Sequence, residues 1–420
     1  MIVQFDKNKQ RKPIKIWLEN YDQVESGCQE QVENLSNLPF VYKWPALMPD
    51  CHQGYGMPIG GVIATDGVII PNAVGVDIGC GMCFVQTNIP AELLRTVETG
   101  QDKLIKAIIG AIMRNIPVGF THHKEKQECK ALDRAQVMAG IGSVKPDNIW
   151  IVNEVLYPEI EAGYYQVGTL GGGNHFIEIQ EDEEGMVGLM LHSGSRNFGF
   201  KICKYFNSLA KEYNQKWFSI VTSECDLAFL PIDTVAGQQY FHWMQLAMDF
   251  AKENREQMMW KVKEIMLNMV KKCTDFTGIE LGEQIGCHHN YAVIEHHFGK
   301  NVWVHRKGAI RTRQGDIGII PGSMGSYSYI VEGLGCPDSF CSSSHGAGRN
   351  SSRKKAKETY SVQKVIEDLK DRGVTLGKQK KEDVAEECRM AYKDIDLVIR
   401  QESDLVRPIK RLKTIGVVKG

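Results

Sequence analysis

The chemically reactive side chains of this sequence sit in short glycine- and serine-rich blocks that lie far apart along the chain. GVDIGCGM occupies 75–82, LGGGNH 170–175, LHSGSR 191–196, CHHNYA 287–292, IPGSMGSYS 320–328 and SSSHGAGR 342–349. Only a fold spanning the whole chain can bring such blocks to one place. Length alone would suggest two or three domains. Yet neither a tandem repeat, a low-complexity linker nor a composition break divides the 420 residues. The expectation is one large α+β domain over residues 1–420, with mixed and antiparallel sheets and surrounding helices.

Local patterns fill in that expectation. GVIATDGVII (61–70) reads as two apolar strands around Asp66-Gly67, a hairpin signal. FVQT after the first glycine block predicts a strand, and apolar spacing over 102–116 predicts a helix. A second hairpin is expected over 176–191, with EDEEG as its turn. Residues 202–217 read as a helix, and 237–272 as one long helix or a broken one, its Met and Trp stripe belonging to the core. Segments 302–310 and 315–322 read as strands and turns. The remainder reads as mostly helical up to the terminal VVKG. Segment 118–150 carries no clear period.

Formal net charge is −1, so any site for an anion must be local. Twelve cysteines show no disulfide framework. The first residues lack the apolar core of a signal peptide. No stretch reaches the ~18 apolar residues of a membrane-spanning helix. A reduced, cytoplasmic setting without membrane association is expected.

Asp77 and Cys80 are surrounded by glycines 75, 79 and 81, which free the backbone to turn a carboxylate and a thiolate toward one point. Cys83 forms a C-x-x-C with Cys80, but no second such pair exists to build a four-cysteine zinc site. His175 and His192 flank the second hairpin, and an antiparallel hairpin returns its chain to its starting end. The two imidazoles are therefore expected side by side. Of the neighbours His288 and His289, which point in different directions, one is expected as a ligand and the other as structural. A mixed Asp/Cys/His set suits Mn, Fe, Co or Zn rather than Ca or Mg. His122, His123, His296 and His297 read as solvated or packing residues. The loops at 320–328 and 342–349 offer exposed backbone N–H groups that can cradle phosphate, though neither matches a P-loop.

These blocks, with MPDCHQGYGMPIGG (48–61) and the final Lys-Gly, resemble the RtcB RNA-splicing ligases over nearly the whole chain. That family joins an RNA 3′-phosphate or 2′,3′-cyclic phosphate end to a 5′-hydroxyl end, using GTP and Mn²⁺. The resemblance implies an RtcB-like fold and two manganese ions. Asp77, Cys80 and His175 would hold one ion. Cys80, His192 and His289 would hold the other, with Cys80 bridging. His345 matches the histidine that becomes covalently guanylylated. Guanylate contacts are implied for Asn174, His175, Phe176, Ile177 and Glu178, and for His289 and Asn290. They are also implied for Pro321, Gly322, Ser323, Met324 and Ser328, for the loop of His345, Gly346, Ala347 and Gly348, and for Lys419. Arg196 is a candidate RNA contact. The implied partners are RNA and GTP, with an activating protein left open.

Small residues after His345 fit this role, since bulk there would block an in-line approach of imidazole to the α-phosphate. Two rival readings are a two-metal phosphodiesterase or phosphatase, and a metal-stabilised RNA-binding protein without catalysis. The first accounts for the metal ligands but not for a histidine in a second glycine loop or the lysine near the end; the second predicts RNA binding without guanylylation.

Overall fold

The computed structural model describes residues 1–141, 148–378 and 381–420. Two sheets organise it. A six-stranded sheet runs, in spatial order, Ile2–Gln4, Ile14–Ile16, Val41–His52, Ile59–Thr65, Lys300–Lys307 and Asn290–His297. An eight-stranded sheet runs Ile285–His288, Gly81–Pro90, Met186–Ser193, Phe176–Glu181, Val406–Lys419, Tyr327–Gly333 and Ile317–Ile320, with Thr375–Lys378 added alongside Val406–Lys419. Mixed pairing and surrounding helices make this the expected α+β fold.

Side chains alternate across a strand, so each face of the larger sheet has its own core. Ile177, Ile179, Leu189, Leu191 and Val418 pack on one face against helices Leu104–Asn115 and Val235–Cys273. Phe176, Met190, Leu412 and Val417 turn to the other face, toward helix Val362–Asp371. Helix Val235–Cys273 is unbroken, capped by the Thr234 hydroxyl accepting from Gly237 N. Lys271 and Lys272 lie in its last turn, where cations suit the helix dipole. Its Trp243, Met244, Met258, Met259 and Met266 are buried, as a core stripe should be.

The hairpin over 176–191 forms, with Phe176 opposite His192 and Glu181 opposite Val187. Helix 102–116 is observed as Leu104–Asn115, and the helix expected from 202 already begins at Arg196. Two expectations need correction. Strands do flank Asp66-Gly67, but they do not pair with each other. Ile59–Thr65 is already paired on both edges, by Val41–His52 and Lys300–Lys307, so Val68–Ile69 pairs instead with Leu230–Pro231. The region after 322 is not mostly helical. It contains Tyr327–Gly333, Ser342–Ser344 and Thr375–Lys378, and ends in a 14-residue strand, Val406–Lys419. Lysines and arginines on the partly exposed half of that strand hide its period. In segment 118–150 a helix forms at Lys130–Ala139; residues 142–147 lie outside the described residues.

Candidate active site

One end of the eight-stranded sheet collects the reactive residues. The turn carrying Asp77 and Cys80 leads into Gly81–Pro90, His175 precedes Phe176–Glu181, and His192 is the penultimate residue of Met186–Ser193. Lys419 pairs with Phe176 on the adjacent strand. His289 lies at the single residue where the chain leaves one sheet and enters the other, between Ile285–His288 and Asn290–His297. Its N–H donates to Cys80 O at 2.9 Å. The site therefore sits at the seam of the two sheets.

Cys80 Sγ lies 3.4 Å from His175 Nε2 and 3.3 Å from His192 Nε2. Those three ligand atoms lie within 4.8 Å of one another. Asp77 extends the cluster at one end, its Oδ2 3.0 Å from His175 Nε2. His289 extends it at the other, its Nε2 3.4 Å from His192 Nε2. The second nitrogen of His175 is fixed by Leu170 O at 3.0 Å, so Nε2 faces the cluster. His289 Nδ1 is buried without a hydrogen-bond partner among the described residues. His288 points away, its Nδ1 2.9 Å from Gly79 O and 3.1 Å from an Arg255 nitrogen. The open choice between the two neighbours thus falls on His289 as the one at the cluster. Cys83 faces the apolar core, where burial pushes its thiol up to about 12.

The cluster's electrostatics fit a cation. Burial, with His175 nearby, drives His192 well below the usual imidazole range, and burial with His345 nearby does the same to His289. Both rings are neutral and keep lone pairs to donate. Burial, and then the Asp77 carboxylate, push Cys80 well above its ordinary value. Burial also raises Asp77, but the His175 hydrogen bond and Arg196 outweigh it and hold the carboxyl low. A thiolate here needs a positive partner, and one carboxylate, one thiolate and three imidazoles form a donor set for a first-row transition metal.

The loops of this cluster are held from behind by the long core helix. Arg255 donates to Gly79 O and Ser193 O, both at 2.9 Å, and Asn254 donates to Gly194 O at 3.1 Å. Ser195 N donates to Asp77 Oδ1 at 3.1 Å. Asn290 donates to Asp77 O at 3.0 Å and accepts from Gly308 N at 2.8 Å.

His345 lies beside the cluster, its ring 4.7 Å from that of His289. Its Nδ1 is 2.6 Å from Asp50 Oδ2, and its backbone N–H also donates to that oxygen, at 3.2 Å. Asp50 is fully buried, so this carboxylate fixes the ring and directs Nε2 outward. The preceding Ser344 is anchored through N and Oγ to Glu402, at 2.9 and 2.8 Å. Neither Asp50 nor Glu402 is marked by sequence patterning. Asp50 sits in an apolar strand and Glu402 at a helix end, and only the three-dimensional contact reveals them.

A cavity of about 780 Å³ opens over His192, His289 and His345. Asn174, Phe176, Glu178, Asn290, residues 321–324, residues 346–348 and Lys419 all line it. Burial pushes Glu178 up to about 7, against hydrogen bonds from Thr414 and Gln180. Lys419 is buried, 3.2 Å from Asn174 O and 3.5 Å from Glu387, so the chain end is docked. Burial lowers its ammonium, and Glu387 partly restores it. Three residues named from the resemblance as guanylate contacts do not line the cavity: His175, whose Nε2 faces Cys80 and Asp77, Ile177 and Ser328. Ile177 turns its side chain into the opposite core by strand alternation. Ser328 Oγ is engaged with Gly322 N and Gln180. Arg196 donates to Thr169 and Gly119 O and braces loops rather than lining the cavity.

Comparison with known proteins matches the chain to a family. The family model described as tRNA-splicing ligase RtcB matches residues 31–420. The chain belongs to the RtcB family. It is 40% identical to the RNA-splicing ligase RtcB of Escherichia coli K12 over 97% of both chains. It is 32% identical to the tRNA-splicing ligase RtcB of Methanococcus maripaludis over 99% of this chain and 96% of that one. The mycobacterial RtcB of Mycobacterium bovis is 30% identical over 93% of this chain and all of its own. No helix among the described residues is long and apolar enough to cross a membrane.

Proposed function

We propose that residues 1–420 act as one catalytic domain, a GTP- and manganese-dependent ligase that joins RNA 3′-phosphate or 2′,3′-cyclic phosphate ends to 5′-hydroxyl ends in tRNA splicing or RNA repair. The observation that carries this reading is His345, an imidazole clamped by a buried carboxylate at 2.6 Å and facing a cavity beside the Cys/His cluster.

Asp77, Cys80 and His175 would hold one Mn²⁺, and Cys80, His192 and His289 a second. Bound there, the ions supply charge neutralisation at phosphate and acidification of water. The protein's own part begins with Asp50, which keeps the proton on Nδ1 so that Nε2 presents its lone pair. Nε2 attacks the α-phosphorus of GTP, an N–P bond forms, and pyrophosphate leaves with the electrons of the P–O bond. This covalent step splits one difficult transfer into easier ones.

The RNA 3′-phosphate oxygen then attacks the same phosphorus, the N–P bond breaks, and His345 is regenerated. The 5′-hydroxyl finally attacks the activated 3′-phosphate, loses its proton, and expels GMP. A cyclic phosphate is first hydrolysed to a 3′-phosphate. Phe176, Glu178 and Lys419 would contact guanine, and the backbone at 321–324 and 346–348 would cradle phosphate.

Incubation with α-labelled GTP and Mn²⁺ tests the reading. Label should stay on the protein through an acid-labile bond. A metal-loaded protein that retains none is a phosphodiesterase or an RNA-binding protein instead.

A further inference from the structure

The cavity has a direction. Contacts run from Lys419 over the Phe176 ring at 5.6 Å, to His192 at 5.6 Å, to His289 at 5.1 Å and to His345 at 4.7 Å. Beyond His345 come Gly308 and then Lys307, whose buried ammonium donates to Tyr55 O at 2.6 Å and Asn72 O at 2.9 Å. Tyr55 lies at the end of this contact path away from Lys419 and lines the cavity, as does Val76.

Tyr55 combines a clamped backbone with a free ring. Gln31 brackets Gly54, accepting from its N–H at 3.0 Å and donating to its carbonyl at 2.6 Å. Met57 N and Lys307 both donate to the Tyr55 carbonyl. Gly56 has φ +67°, and a Cβ there would run into the Asp226 carbonyl. Tyr55 nonetheless stays 71% exposed, and its ring stacks on no aromatic ring or cation among the described residues. Val76 beside it is also exposed, at 38%. Four hydrogen bonds at the backbone of residues 54 and 55 hold a largely exposed tyrosine at the mouth of the cavity.

We infer that Tyr55 is the stacking platform for a nucleobase of the RNA end at the joint. This rests on the ligase reading, in which guanine occupies the Lys419 end and the reacting phosphates lie near His345. A single-stranded RNA end offers unstacked bases, and aromatic side chains are their usual platform. Stacking tolerates any base, as suits an enzyme that seals ends of varied sequence. The base could belong to the 3′-phosphate strand or to the 5′-hydroxyl strand; the shared chemistry is an unpaired terminal nucleobase.

The test is anisotropy-based affinity for two short single-stranded RNAs, one ending in a 3′-phosphate and one beginning with a 5′-hydroxyl, each with a normal or an abasic terminal nucleotide. For one of the two RNAs, Tyr55→Ala should weaken binding roughly 5- to 100-fold. Tyr55→Phe should stay within about twofold, because the ring and not the hydroxyl stacks. Removing the terminal base from that RNA should cost the wild type the same factor and cost Tyr55→Ala nothing further. Equal affinity of Tyr55→Ala and wild type for both RNAs would overturn the inference. So would losses from Tyr55→Ala and from the abasic end that simply multiply. Guanylylation with labelled GTP involves no RNA and is measured in parallel. If wild type is never guanylylated but the stacking pattern holds, the ligase reading fails and the RNA platform stands. If Tyr55→Ala loses guanylylation while folded, Tyr55 belongs to the nucleotide site and the inference falls.

Discussion

At the scale of single residues, the site depends on a carboxylate 295 residues away in sequence from the histidine it holds. Asp50 accepts from both Nδ1 and the backbone N–H of His345. In the proposed guanylylation the His345 ring would gain positive character, which a buried carboxylate stabilises and an amide does not. Asp50→Asn should therefore keep the fold and slow the guanylylation burst on the order of 10²-fold or more. An unchanged burst in rapid-quench kinetics would remove Asp50 from the mechanism. A second residue sets acid stability. His305 is fully buried, accepting from Ile70 N at 3.0 Å, with its other nitrogen 3.1 Å from Trp303 O. Burial lowers it to about 4, below the ordinary 6.5. Between those values the unfolded chain binds the proton and the folded one does not. The His305 contribution is thus present above pH 6.5 and lost as pH falls toward 4, by about 3 kcal/mol in all. Denaturant titrations from pH 7 to 4 should show a shallower pH slope for His305→Gln than for wild type. Identical slopes would contradict the assignment.

At the scale of elements, the terminal strand Val406–Lys419 joins the Lys419 end of the cavity to the sheet. It pairs with Phe176–Glu181, Tyr327–Gly333 and Thr375–Lys378, so deleting residues 419–420 leaves nearly all of its ladder intact. An ammonium donating to the guanine carbonyl would meet a donor instead on adenine. Lys419→Ala or the two-residue deletion should cost roughly ten- to a hundredfold in preference for GTP over ATP, as for a hydrogen bond to a charged group. Thermal unfolding should still be cooperative. A deleted chain that discriminates as well as wild type would show that Lys419 does not read the base. Elements also explain what the sequence disclosed. The 176–191 hairpin was legible because its turn and both flanking histidines are local, and the long helix because its period is sustained. The pairing of Val68–Ile69 was not legible. Edge occupancy of Ile59–Thr65 depends on residues 300–307, which no local window contains.

At the scale of the whole molecule, the dispersed glycine blocks converge because one end of one sheet gathers strand ends from residues 81, 176, 192 and 419, and the second sheet delivers Asp50 and His289 across the seam. Most of the cluster could be read from residue type and spacing, since Asp, Cys and His beside glycine have few structural uses. The supports behind it, Asp50, Arg255 and Glu402, could not be read, because a buried charge is identified by its partner and not by its neighbours in sequence. The arrangement separates two tasks. In the proposed mechanism His345 would carry guanylate and the Cys/His cluster would serve the phosphate steps. His345→Ala and His175→Ala should therefore differ on two RNAs assayed side by side. One RNA ends in a 3′-phosphate and is supplied with GTP; the other already carries a 3′-terminal diphosphate-linked guanosine. The account predicts that His345→Ala fails on the first and seals the second, while His175→Ala fails on both. A folded, metal-replete His345→Ala protein that cannot seal the pre-activated RNA would contradict the assignment of His345 as nucleophile alone.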